Sequence, residues 1–395
     1  MSHKYGNMDI EWVNKSFADL RKWRKERKAK KKDLSYVVPS AKTKQIGWLR
    51  QNRSEMSITW IGHSTFLLQI GGLNVLTDPV WAESMGFQKR LSAPGLTLAE
   101  LPPIDVVLLS HSHYDHMHMK TLSSLRRQPS GEPMLLVPAG LSESLRKKGF
   151  RRVEELQWWG TTRAGGVEFH FVPAQHWTRR TLWDTNNSHW GGWVLEKSGD
   201  DGASGVGAES GNNLKEAELR SGSSLSVEGT GRVDDGGWKS AEPDYAKRNG
   251  QTAEEAGEAG GRSQGAKPAG LTQAGESRKG EDSAGKQTIY FAGDSGYFRG
   301  FGLIGERFKP DYTLMPIGAY EPEWFMALQH VTPEEAVQAF LDANGEVMIP
   351  MHYGAFRLAD DTPKEALDRL YAEWQRRGLP AERLLVPALG ETLRF

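Results

Sequence analysis

The residues with chemical potential are crowded into Ser110-His111-Ser112-His113-Tyr114-Asp115-His116-Met117-His118. Three imidazoles and a carboxylate, at His111, His113, Asp115 and His116, fall within six residues. The apolar run 106–109 leads into them and reads as a buried strand that ends in a loop. In such a loop His111 and His113 can point one way while Asp115 and His116 turn another. A single metal has no need of four ligands packed so tightly. Two metals about 3.5–4 Å apart do, because each needs its own set and the sets must be neighbours. As a merely solvated or capping loop, the same stretch would crowd costly polar groups together without partners.

Three more candidates each follow a short apolar run: His176 after 167–172, Asp294 after 288–292 and His352 after 347–351. Strand ends gathered on one edge of a sheet are where α/β-type folds place their sites. The set sorts into His111, His113 and His176 for one metal and Asp115, His116 and His352 for the other, with Asp294 able to bridge. His63 and Asp78, also at strand ends, are candidates to orient ligand imidazoles from outside. The chain has no cysteine, so the ligands are imidazole and carboxylate. That favours zinc, although manganese and iron accept the same donors. Two divalent cations, set against Asp115, Asp294 and a shared hydroxide, leave about one positive charge, which suits an anionic group such as a phosphodiester. The metals would lower the pKa of that water to about 7 and polarise a phosphoryl oxygen.

The elements that must position these residues can be read in order. Strands are expected at 57–61 and, as a hairpin around Gly71-Gly72, at 66–70 and 73–76. Helices are expected at 119–127 and 141–148, with a strand at 134–138. The run 167–172 alternates as a half-buried strand with His170 on its outward face, where it is structural or merely exposed. Another strand begins near 191. Thr332-Pro333-Glu334-Glu335 and Thr362-Pro363-Lys364-Glu365 both read as capping boxes with Pro at the first helical position, opening helices to about 343 and 377. The run 384–387 closes the domain.

Composition sets the limits. The chain has 395 residues, 38% of them hydrophobic, and a formal net charge of zero; its mean hydropathy is −0.57. Residues 198–287 contain no Ile, Phe or Met and only one Trp and one Tyr. Such a segment buries too little apolar surface to offset its chain entropy, so it reads as a disordered insertion hanging from a hairpin tip. The remaining residues, roughly 305, suffice for one sizeable domain. Residues 1–45 read as a basic extension, with nine positive charges and one negative over 21–32. That stretch reads as a solvated helix or as a contact for anionic phospholipid headgroups. Nucleic acid is disfavoured, since the stretch lacks interleaved aromatics beyond Trp23. There is no apolar run of about 18 residues and no signal-peptide core. With the absence of cysteine, this suits a cytoplasmic protein, peripheral at most to a membrane.

The pattern His111-x-His113-x-Asp115-His116 with His176, Asp294 and His352 resembles the metallo-β-lactamase superfamily. More narrowly, Trp60-Ile61-Gly62-His63-Ser64-Thr65, Leu76-Thr77-Asp78-Pro79, Gln175-His176-Trp177, Phe291-Ala292-Gly293-Asp294-Ser295-Gly296-Tyr297 and Gln329-His330-Val331 resemble the N-acyl-phosphatidylethanolamine-hydrolysing phospholipases D and their bacterial relatives. The resemblance covers about 46–197 and 288–395. It implies a four-layer αββα sandwich, two zinc ions and hydrolysis of a phospholipid phosphodiester. It also implies that Gln329 and His330 lie near the substrate phosphate, where His330 has a phosphate or leaving-group role. On this reading Asp115 orients the nucleophile, and metal-bound water or His330 stabilises the leaving alkoxide. Arg179, just after His176, is a further candidate to hold a phosphate oxygen. His118 stands where the family often carries Asp and is not assigned as a ligand. Lactones, sugar phosphates and nucleic-acid phosphodiesters are the alternative substrates. A non-catalytic binding protein on the same fold is the alternative of a different class.

Overall fold

Alternation along the strands sorts side chains onto two faces, and two sheets with helices outside them result. The architecture is taken from a computed structural model that describes residues 5–10, 15–197 and 286–395. The first sheet runs in the order Thr392–Arg394 (β15), Ser57–Gly62 (β1), Thr65–Ile70 (β2), Leu73–Thr77 (β3), Val106–Leu108 (β6), Met134–Pro138 (β7), Val153–Leu156 (β8). The second runs Val347–Met351 (β14), Tyr312–Pro316 (β13), Gln287–Phe291 (β12), Gly192–Lys197 (β11), Val167–Val172 (β10), Thr161–Ala164 (β9). A small ribbon, Ser84–Met85 (β4) with Gln88–Lys89 (β5), lies apart.

Period two is legible residue by residue. Ile58, Trp60, Phe66, Leu68, Val75, Val106 and Leu108 join Phe169, Phe171, Trp193, Leu195, Ile289 and Phe291 in one buried cluster between the sheets. The intervening Ile61, Leu67, Leu76, Val107, Leu135 and Val137 turn to the other face. There they meet Leu49 of Ile46–Gln51 (α2), Leu122 and Leu125 of Met119–Arg126 (α3) and Leu145 of Ser142–Lys147 (α4). The second sheet is covered by Gly300–Phe308 (α5), Pro333–Asp342 (α7) and Pro363–Arg376 (α8). The result is the expected αββα sandwich. Each fully buried Phe or Leu contributes about 1.5–3 kcal/mol on the transfer scale, which is why the strand faces are set so firmly.

Four expectations are corrected. His170 does not face solvent: α5 covers that face, Phe308 packs on the imidazole at 4.8 Å, and Glu196 and Thr161 satisfy its two nitrogens at 3.0 Å each. The run 384–387 does not close the domain; β15 does, pairing with β1 through Ile58 and Leu393. Thr332 and Glu335 form a complete capping box, but Thr362 and Glu365 form half of one. Thr362 accepts from the Glu365 N–H at 3.1 Å, while the Glu365 carboxylate is taken by Lys32 at 2.8 Å.

The fourth concerns the N-terminal residues. Phe17–Ala29 (α1) is docked rather than loosely solvated. Trp23 stacks on Phe325 at 5.0 Å and donates to the buried Asp360 at 2.9 Å. Arg27 pairs with Asp360 at 3.3 Å and Lys32 with Glu321 at 3.0 Å. Phe325 belongs to Glu323–Met326 (α6).

The polar stretch set apart at 198–287 lies outside the described residues except for 286 and 287. Its flanks are described: β11 and β12 pair antiparallel with Lys197 opposite Gln287.

Candidate metal centre

Strands β6, β12 and β14 end at one edge of the sandwich, and β10 delivers a fourth loop there. The His111–His116 loop leaves β6, His176 lies beyond β10, Asp294 follows β12 and His352 follows β14. Backbone geometry makes these turns sharp. His63, Asp78 and His352 all have positive φ, at 56°, 32° and 64°. Left-handed backbone is uncommon outside glycine and concentrates at functional sites. Gly293, at φ 63°, cannot be replaced cheaply. A Cβ there would lie 2.7 Å from the Ser110 Cβ and 2.9 Å from the Gly191 carbonyl oxygen.

Two groups of donors result. In the first, His111 Nε2 lies 2.9 Å from His113 Nδ1, and His176 Nε2 lies 3.2 Å from the same atom. In the second, His116 Nε2 and His352 Nε2 are 3.2 Å apart, with Asp115 Oδ2 at 3.3 and 3.6 Å. Asp294 stands between the groups. Its oxygens lie 3.1 Å from both His116 and His352 and 3.9 and 4.0 Å from His111 and His176. The seven residues singled out in the sequence are thus brought together.

These residues fit a pair of cations. Neutral imidazole carries one proton and one lone pair, so nitrogens that face one another at about 3 Å cannot all be satisfied by hydrogen bonds. Asp294 Oδ1 is buried and has no hydrogen-bond partner among the described residues. Lone pairs from three histidines in one group, and from two histidines and two carboxylates in the other, converge on points where a cation satisfies every donor.

The surrounding groups fix the ring orientations. Asp78 Oδ2 accepts from His116 Nδ1 at 2.6 Å and from Ser110 Oγ at 2.5 Å. Ser110 Oγ meets His111 Nδ1 at 2.9 Å. The carbonyl oxygen of Gln329 accepts from His176 Nδ1 at 2.9 Å. His63 does not orient an imidazole: its Nε2 donates to Asp115 Oδ2 at 3.1 Å.

Electrostatics follow. Burial, and then the neighbouring His352, push His63 down to about 3, so it is neutral. Burial lowers His113 and His330 to about 4. Burial would raise Asp115 and Asp294, but the charge of His116 outweighs it and holds both well below the usual carboxylate range. Burial would also lower His352, but Asp294 and Asp115 raise it to about 9. Protons therefore occupy the metal-free second group where a cation would otherwise balance the carboxylates.

The open side of the centre is at Asp115, 15% exposed, and at His330, 12% exposed; Asp294 is 2% exposed. His330 Nδ1 is buried, lies 3.9 Å from Asp294 and has no hydrogen-bond partner among the described residues. Gln329 contributes to the centre through its backbone carbonyl. Arg179 is exposed, its guanidinium over Trp177 at 5.4 Å, and Trp177 packs edge-on against His113 at 4.8 Å. Its neighbour Arg180 donates to the carbonyls of Ser112 (2.6 Å) and Met117 (3.0 Å), clasping the histidine loop. His118 is the N-cap residue of α3, with its Nδ1 2.7 Å from Thr121 Oγ1. Sequence reasoning missed Ser110, Arg180 and Asn7, which hydrogen-bonds the backbone of His176.

Comparison with known proteins identifies the family. A family model described as a beta-lactamase superfamily domain matches residues 73–205 and 281–353. An uncharacterized protein of Mycobacterium tuberculosis is 29% identical over 337 residues, covering 82% of this chain and 65% of the relative. The mitochondrial N-acyl-phosphatidylethanolamine-hydrolyzing phospholipase D of Saccharomyces cerevisiae is 25% identical over 351 residues, covering 85% of this chain and 55% of the relative. The chain thus spans about two thirds or less of the length of these relatives. The solved structure of Igni18, a metallo hydrolase from Ignicoccus hospitalis, superposes with a TM-score of 0.50 at 18% identity, covering 87% of this chain and 99% of that one.

Proposed function

We propose, starting from the fact that this chain belongs to the metallo-β-lactamase superfamily, that it is a metal-dependent hydrolase of a phosphodiester, most simply of an N-acyl-phosphatidylethanolamine-type phospholipid. The observation that carries the hydrolase reading is the convergence of His111, His113, His176, Asp115, His116, His352 and Asp294 on two adjacent points. Two zinc ions, or manganese or iron in their place, would be held there. When bound they supply Lewis acidity and a water acidified to about neutral pH.

The residues have separable tasks. Asp115, held by His63 and open to solvent, orients a nucleophilic water at the mouth. His330, neutral at pH 7 and with its Nδ1 facing the site, can share a proton with a substrate oxygen. Arg179, one ring removed from His113, offers a guanidinium to a phosphate at the entrance. A lipid substrate is favoured by similarity to the yeast phospholipase and by Leu182 and Trp183, 79% and 89% exposed. Those two side chains lie in the loop that carries Arg180, whose guanidinium stacks on Tyr114 at 4.1 Å. The basic residues 21–32 fit a contact with anionic headgroups through Arg21, Arg24, Lys25, Lys28 and Lys31, which make no ion pair among the described residues. No described helix is long and apolar enough to cross a membrane.

The test is hydrolysis by the purified, metal-loaded protein of a panel holding the acylated phospholipid, a lactone, a sugar phosphate ester and a nucleic-acid phosphodiester. Products are identified by mass spectrometry, with a chelator control. Release of a phosphatidic acid, abolished by chelator, supports the reading. Turnover confined to the lactone would overturn the phosphodiester assignment, and turnover indifferent to chelator would overturn the metal assignment.

A further inference from the structure

We infer that Asn7 is a positioning residue for the metal ligand His176; the inference rests on the metal-centre reading above. Residue 7 falls within 1–45, the stretch that reads from sequence as a basic extension. The structure instead places its side chain against a ligand 169 positions later. Asn7 Nδ2 donates to the His176 carbonyl oxygen at 3.0 Å. The His176 N–H donates back to Asn7 Oδ1, also at 3.0 Å. A carboxamide is the side chain that can do both, because it carries an acceptor and donors in one plane. Among the described residues no other hydrogen bond reaches the two backbone groups of His176. The Trp190 indole N–H donates to the same Oδ1 at 3.0 Å, which leaves the amide little freedom to rotate.

The contact sits where regular pairing stops. Strand β10 ends at Val172, and Gln175 is tied to the loop after β12 through the Gly296 N–H (2.8 Å) and the Ser295 hydroxyl (2.9 Å). His176 is the next residue and has passed beyond that support. Its ring is oriented by the Gln329 carbonyl and its backbone by Asn7, so rotation and position of the ligand nitrogen are fixed by two different segments. Residues on both sides anchor Asn7. The Tyr5 ring stacks on the buried His189 at 4.5 Å, the Tyr5 N–H donates to the Asn186 carbonyl at 3.0 Å, and Asp9 pairs with Arg299 at 2.6 Å. Metal–ligand distances tolerate errors of only about 0.2 Å, so a residue that sets the backbone of a ligand acts on affinity without touching the ion.

The test compares Asn7→Ala and Asn7→Asp with Asp9→Asn, which loosens the same segment away from His176. Zinc per chain is counted, zinc affinity is measured by competition with a chromophoric chelator, and the visible bands of the cobalt-substituted protein are recorded. Thermal midpoints of the metal-free proteins serve as the measure of folding. The wild type should take up two zinc ions. Asn7→Ala should bind one of them roughly ten- to a hundredfold more weakly, with shifted cobalt bands and an unchanged metal-free midpoint. Asn7→Asp keeps the acceptor but sets a second carboxylate oxygen against the His176 carbonyl, so it should bind zinc at least as weakly as Asn7→Ala. Asp9→Asn should match the wild type. Wild-type affinity and cobalt bands in Asn7→Ala would overturn the inference, as would an equal loss in Asp9→Asn. If Asn7→Ala does not fold, Asn7→Asp decides on the same criteria. A wild-type protein that takes up no metal would sink the metal-centre reading itself, and this inference with it.

Discussion

Asp294 faces five imidazoles at once, those of His111, His116, His176, His330 and His352, so its replacement is costly. Asp294→Asn keeps the shape and removes the charge. It should abolish hydrolysis and cost at least one metal per chain while the metal-free protein stays folded; full turnover by this variant would refute the proposed centre. Asp78 acts one bond further out, holding His116 and Ser110 together. Asp78→Asn should weaken zinc binding roughly ten- to a hundredfold, measured by chelator competition. The pH dependence follows from His352, raised to about 9 by Asp294 and Asp115 despite its burial, and from His116, raised well above its usual value by the same carboxylates and Asp78. A histidine with a folded pKa above the unfolded value of about 6.5 stabilises the metal-free protein fully below pH 6.5. That contribution is lost as pH rises through about 9. The cation must displace the same protons, so zinc affinity should climb from pH 6.5 to 9. Calorimetric titrations at pH 7.5, in buffers of different ionisation enthalpy, should report protons released on binding. Identical heats in all buffers would contradict this.

Among the elements, α7 is one whose start the sequence specifies fully. Thr332 accepts from the Glu335 N–H at 3.2 Å, and Glu335 returns a bond to the Thr332 N–H at 3.0 Å. Thr332→Ala should therefore cost about 1 kcal/mol in chemical denaturation. Near the end of α8, hydrogen bonds from Arg376, and then Arg377, lower Glu373 to about 2, although burial acts in the opposite direction. A carboxylate with a depressed folded pKa stabilises above its unfolded value of about 4.5, and the contribution disappears as pH falls toward 2. Glu373→Gln should accordingly lose stability relative to wild type at pH 6, with the difference narrowing on acidification; a constant gap would show that packing rather than charge is responsible. Helix α1 shows where element-level reading fell short. Its basic face was plain, but the partners Asp360 and Glu321 lie about 300 residues away, and no local pattern announces a dock of that kind.

For the whole molecule, the antiparallel register of β11 and β12 is the informative feature. Lys197 and Gln287 are direct partners, so their backbones are already at hairpin distance. Replacing the residues between them with a two-residue turn should leave metal content and the thermal midpoint unchanged. Loss of either would mean that the intervening residues support the described domain.

The sequence by itself determined the donors, because a metal centre without thiolates needs histidine and carboxylate. Their crowding into 111–116 is what led to the expectation of two cations rather than one. It also determined the strand faces and the helix starts, because period two and the capping residues are local properties. Only the tertiary structure decided which second partners hold those donors. His63 holds a carboxylate rather than an imidazole, Gln329 contributes a carbonyl rather than its amide, and Asn7 reaches His176 across 169 residues. It also decided that His170 is buried, since an outward strand face is exposed only until a helix packs on it. Hydrogen bonds between backbone turns and distant side chains leave no periodic trace, so chain closure in three dimensions has to reveal them.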